Sequence, residues 1–196
     1  MSHQLRRVAY RKSDQVQPEL LAAKEWLVTN GLGGYASGTL AGVITRGFHG
    51  YLIAALSTPL GRVMMLNDLV EKVENVDGQS IQLGGEERVN TPLKAHGSEF
   101  LQEFLLEDGN PVWIFQFGDS QLEKRVMMVH RQNTVHISYR LKGPGKFRLM
   151  LRPSVNFRHH EAPVSTPLAG NYAFTVVEDA FKISSQTAIP PSRLML

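Results

Sequence analysis

The alternation of apolar and polar residues dominates this chain after residue 50. Gly50 to Leu56 (GYLIAAL) reads as a buried strand. Arg62 to Val76 carries apolar residues broken by charges, and Asp77-Gly78 separates it from Ser80 to Leu83. An Asp-Gly between two such runs predicts a hairpin, because both central residues of the favoured turn need positive φ. The same signal recurs where Glu99 to Leu106 runs into Asp108-Gly109 and returns over Pro111 to Phe117. Leu122 to His130 is followed by the turn Arg131-Gln132-Asn133. In Thr134 to Leu141, Val135, Ile137 and Tyr139 fall on one side, with His136, Ser138 and Arg140 on the other. Gly143-Pro144-Gly145 then leads to Lys146 to Arg152, and Asn171 to Val177 with Ala180 to Ser184 makes a last pair.

No apolar stripe of helical period exceeds about three turns. Leu20 to Lys24 is expected to hold one helical turn, started near Asp14 or Pro18. At least nine short strands with turn residues between them predict an all-β, antiparallel fold, a two-sheet β-sandwich. The expected organisation is a lead-in over residues 1–23, a sandwich domain over 24–186, and a tail or linker over 187–196. Pro190-Pro191 would interrupt a strand there.

Composition narrows the function. The 196 residues carry 21 basic and 18 acidic side chains, a net charge of +3 without a basic stripe, so no nucleic-acid partner is expected. There is no cysteine, which excludes disulfides and thiolate metal sites. No apolar run approaches the ~20 residues of a membrane helix, and the polar start lacks the apolar core of a secretory signal. A cytoplasmic protein, with no membrane partner, is the expectation. No cofactor is called for. His159-His160-Glu161 lacks metal-ligand spacing, and no metal site is expected. Glu99, Glu103 and Glu123 are carboxylates of the kind a glycosidase uses, and they read as part of a solvated sheet face.

Glu25 to Leu56 is the densest chemistry, with seven glycines among Trp26, Tyr35, Phe48 and Tyr51, together with Asn30, Arg46 and His49. Gly31-Leu32-Gly33-Gly34-Tyr35-Ala36 fits a dinucleotide fingerprint, but Gly38 and Gly42 sit where its helix should run. Residues 47 to 60 also lack the acid that such a site needs, so it is rejected. Gly38 and Gly42 are read as strand-packing glycines. Asn30 to Gly34 fits either tight packing or close approach to a ligand. His49 is read equally as a satisfied core histidine or a functional one. Trp113 is read as core, and Trp26 as core or as a ring for a sugar face.

EWLVTNGLGGYASGT, then TRGFHGYLIAAL and PLGRVMML, resembles the N-terminal domain of bacterial and archaeal glycogen debranching enzymes of the amylo-α-1,6-glucosidase type. Pro111-Val112-Trp113, Leu122-Glu123-Lys124-Arg125, Asn133-Thr134 and Val155-Asn156-Phe157-Arg158 follow in the family's order, so the resemblance spans roughly residues 24 to 160. It implies a β-sandwich that precedes an (α/α)₆ barrel, with the catalytic carboxylates on the barrel. This chain is therefore expected to carry no catalytic residue and to be inactive alone in the breakdown of glycogen. The expected partners are an α-glucan (glycogen or a maltooligosaccharide) and a helical catalytic domain, in cis or in trans. The contact residues implied are Trp26, Asn30, Gly31, Gly33, Tyr35, Arg46 and His49. An interaction module without sugar binding is the alternative. The sequence departs from the family at Gly47, where an Arg is usual, and at His159-His160, where an acid is usual.

Overall fold

The computed structural model describes residues 5–12, 18–86, 90–168 and 170–196. It is 57% strand and 5% helix, so the class is all-β, as the alternation predicts. Asp14, one expected helix start, lies outside the described residues. The helix itself, α1, runs Pro18–Ala23, with proline at its first position, where a missing N–H costs nothing.

One five-stranded antiparallel sheet has the order β1 (Arg6–Arg11), β9 (Leu101–Glu107), β10 (Asn110–Phe117), β11 (Ser120–Met128), β12 (Val135–Lys142). A second has the order β14 (Arg158–His159), β5 (Arg62–Leu66), β4 (Gly50–Ala55), β3 (Tyr35–Thr39), β2 (Glu25–Thr29). A four-stranded sheet orders β13 (Phe147–Ser154), β6 (Asp68–Asn75), β7 (Ser80–Glu86) and β8 (Lys94–His96). The last sheet is β15 (Tyr172–Val177), β16 (Ala180–Ser185) and β17 (Ser192–Met195).

Both Asp-Gly hairpins form. Asp108 and Gly109 take φ of 50° and 81° between β9 and β10, and Gly78 takes 79° between β6 and β7. β12 alternates as expected: Val135, Ile137 and Tyr139 pack on the core while the residues between them are exposed. The chain does not pair β12 with β13 across Gly143-Pro144-Gly145. It crosses layers there, and β13 pairs with β6.

The main core lies between the first sheet and the combined face of the second and four-stranded sheets. Phe104, Trp113, Phe115, Phe117 and Val126 meet Trp26, Ala36 and Tyr51 on one side and Val73 and Leu83 on the other. A smaller cluster of Ala54, Val63, Met65, Phe157 and Ile183 seats the last sheet on β4 and β5. Gly42 lies against Gly84, where a Cβ would come within 3.0 Å of the other Cα, so the loop after β3 crosses β7 at backbone distance. That is the packing role read for it.

Two segments are more structured than their sequence suggests. Within the lead-in, β1 pairs with β9, and Tyr10 and Leu21 are buried in the main core. Within the expected tail, β17 begins just after Pro190-Pro191 and pairs with β16, with Leu194 packed on the second cluster. Proline keeps the strand from starting earlier and does not prevent it.

Candidate functional site

Asn30 organises the glycine-rich signature. It is fully buried at the end of β2. Its Oδ1 accepts hydrogen bonds from the backbone N–H of Leu32 (2.9 Å) and Gly34 (3.0 Å). Its Nδ2 donates to the carbonyl of Gln132 (2.9 Å) and to Asn133 Oδ1 (3.2 Å). Asn133 in turn accepts from the Ala55 N–H (2.8 Å) and donates to the Ala55 carbonyl (2.7 Å). Two loops and the end of β4, from two sheets, are thus knotted by two amide side chains. Gly34 is required because a Cβ there would sit 2.6 Å from Asn30 Nδ2 and 2.9 Å from the Ile53 carbonyl. Gly31 and Gly33 take φ of 77° and 93°, a left-handed backbone that glycine adopts without penalty. The turn Gly31-Leu32-Gly33 is exposed as a result.

Tyr35 follows on β3, half-buried, with its hydroxyl 3.3 Å from His160 Nδ1 and its ring edge-on to that imidazole. Burial pushes the Tyr35 phenol up, against the pull of the Arg62 and Arg158 guanidiniums. Burial also lowers His160, against the Glu161 carboxylate, while Arg62 and Arg158 lower it further. Arg62 is exposed at the start of β5, near Gly33. Gly33, Tyr35, Arg62 and His160 therefore form one surface of hydroxyl, imidazole and guanidinium beside an open turn.

Arg158 holds this surface together. It is 6% exposed and donates to the carbonyls of His159 (3.1 Å), His160 (3.2 Å) and Ala162 (2.8 Å), and to that of Gly47. A Cβ on Gly47 would meet nothing closer than 3.8 Å, so the loop has room for a side chain at this position. His159 is exposed while His160 turns inward to Tyr35.

The other signature residues face different ways. Trp26 is buried, its ring edge-on to Trp113 and its Nε1 donating to the Thr39 carbonyl (3.1 Å). It joins the two layers and presents no face to a sugar. His49 is 1% exposed; its Nδ1 accepts from the Thr45 N–H (3.4 Å), which places the proton of the neutral ring on Nε2, 3.6 Å from Glu25 Oε1. Burial holds His49 below the usual imidazole range, offset in part by Glu25. Arg46 is exposed, pairs with Glu25 and lies over the Phe48 ring. The residues named from sequence thus divide. Gly31, Gly33, Tyr35 and Arg46 reach the surface, while Trp26, Asn30 and His49 support it from within.

Across the core, Lys124 donates to Tyr51 Oη (2.7 Å) and pairs with Glu71 (2.6 Å), to which the Tyr139 hydroxyl also donates. Burial pulls Lys124 down, but the charge and hydrogen bonds of Glu71 and Tyr51 together outweigh it and hold the ammonium above its usual range. Burial pushes the Tyr51 phenol up to about 12. Nothing in the local sequence marks this network, because Glu71 sits among exposed-looking charges and meets Lys124 only when the layers close. The cavity beside it, about 20 Å³, has room for one water and none for a ligand.

The model of a family described as "Glycogen debranching enzyme N terminal" matches residues 24–196. The chain belongs to this family. No curated protein and no solved structure matches it. The matched span takes in β2 through β17, and the Asn30 knot with the surface that it turns outward lies within it. Among the described residues no three of His, Asp or Glu gather as metal ligands would. Glu103 and Glu123, considered for hydrolysis, are each ion-paired to two cations.

Proposed function

We propose that this N-terminal domain packs on a helical catalytic barrel and supplies part of an α-glucan binding groove in cytoplasmic glycogen breakdown, with hydrolysis carried out by the barrel. The observation that carries the reading is the outward turn Gly31-Leu32-Gly33 beside Tyr35, Arg62 and His160. A sugar hydroxyl both donates and accepts, and a phenol, an imidazole and a guanidinium together offer both roles. The glycines let a ligand or a neighbouring backbone come close. Titration calorimetry with maltoheptaose tests this. Binding weakened about tenfold by Arg62→Ala or Tyr35→Phe, with the melting temperature held, is the expected result. No heat at millimolar glucan removes the sugar from the reading.

A second reading, an interaction module without sugar binding, draws on exposed apolar side chains. Leu27, Leu32 and Phe48 are 58%, 46% and 44% exposed near the signature, and Phe174, Val176 and Val177 are exposed on β15. Such residues mark contact surfaces when they gather. Under this reading Phe48→Ser and Leu27→Ser abolish co-purification with the catalytic domain and leave glucan heats unchanged.

A further inference from the structure

The outer face of the sheet β1-β9-β10-β11-β12 is a concave groove of about 830 Å³, on a different sheet from the signature. Cross-strand register aligns Arg11, Glu103, Ile114, Glu123 and Arg140 in one row. Each carboxylate is flanked outward by a cation, and an aliphatic residue lies at the centre. The heights differ as well. The side chains of Glu103 and Glu123 are recessed, 18% and 15% exposed, while Arg6, Arg11 and Lys142 stand at the rim at 54%, 62% and 52%. Gln121 and Gln116 extend the polar array, joined by a 2.9 Å hydrogen bond.

The lining carries both signs, six cations and the three carboxylates Glu103, Glu107 and Glu123, and each carboxylate is ion-paired. A neutral polyhydroxyl chain meets acceptors on the floor and donors at the rim, and each hydroxyl satisfies both. The groove crosses five strands, roughly 19 Å at about 4.8 Å per strand spacing, and its volume falls in the range of ligand clefts. We propose that this face is a second carbohydrate-binding surface, which takes a neutral α-glucan segment across the Glu103–Ile114–Glu123 floor. The identity of the sugar rests on the reading given under Proposed function. The site itself does not, since it shares no residue with the signature surface. A domain with two such surfaces would hold a branched polymer by avidity, without high affinity at either.

Amide chemical-shift mapping of the full chain tests this, with maltoheptaose and pyrophosphate as separate probes. The expected result is that maltoheptaose shifts the amides of Glu103, Ile114, Glu123 and Arg140. Glu123→Gln should weaken the groove response about tenfold. Ile114→Lys, which raises a charge from the floor, should abolish it while the shifts near Gly33 persist. Shifts confined to residues 31–35 and Arg62 overturn the groove and leave the signature reading standing. Groove shifts with pyrophosphate and not with glucan overturn the carbohydrate assignment. Groove shifts without signature shifts support the groove and count against the signature site.

Discussion

Asn30 shows how one side chain sets the shape of a functional loop. It spends all its hydrogen-bonding capacity inside the protein, two bonds accepted and two donated. Asn30→Ala is expected to cost roughly 2–4 kcal/mol in urea unfolding, since each buried partner left unpaired costs about 1–3. Asn30→Asp keeps the accepted bonds but sets a carboxylate against the Gln132 carbonyl, and should also destabilise. His49 gives a residue-scale pH prediction. Its folded pKa is depressed, so between that value and about 6.5 the unfolded chain binds a proton that the native state refuses. Stability contributed by neutral His49 is complete above about pH 6.5 and is lost as pH falls through the folded value. His160 shifts in the same direction. Urea midpoints of His49→Gln should therefore depend less steeply on pH in that window than those of the parent, without becoming flat.

At the scale of elements, the Glu71–Lys124 pair bridges β6 and β11 and fixes how the two layers oppose each other. Both side chains are almost fully buried. Removing one charge strands the other, so Lys124→Met should destabilise by about 3–5 kcal/mol. Adding Glu71→Leu should recover much of that loss. A double-mutant cycle measured by chemical denaturation checks the coupling. If the single and double variants were equally unstable, the pair would not be holding the layers in register. The hairpins were legible for a local reason: Asp-Gly encodes positive φ within the turn itself. The crossing at Gly143-Pro144-Gly145 was not, because the same residues serve a tight turn or a passage between layers. What decides is the partner strand β6, about eighty residues earlier in the chain.

The whole molecule depends on parts that its family signature does not include. The family match begins at residue 24, yet Tyr10 and Leu21 are buried in the main core and β1 covers the edge of β9. A variant that starts at Lys24 is expected to melt lower and to aggregate, since it exposes an unpaired strand edge and an opened core. Thermal melts with light scattering check this. A truncated variant as stable and monomeric as the parent would show that the lead-in only decorates the fold.

The sequence by itself determined the all-β class, the main hairpins, the family and the segment that carries its signature. These follow from alternation, turn chemistry and a dense local motif, all of which are written within short windows of chain. Only the tertiary structure decided which signature residues reach solvent. Asn30, Trp26 and His49 look as available as Tyr35 in the sequence, but burial depends on what the opposite layer and distant loops bring against them. The same holds for Arg62 and His160, which join Tyr35 from β5 and from the turn after β14. It holds too for the row of charges on the outer sheet, which exists only through cross-strand register.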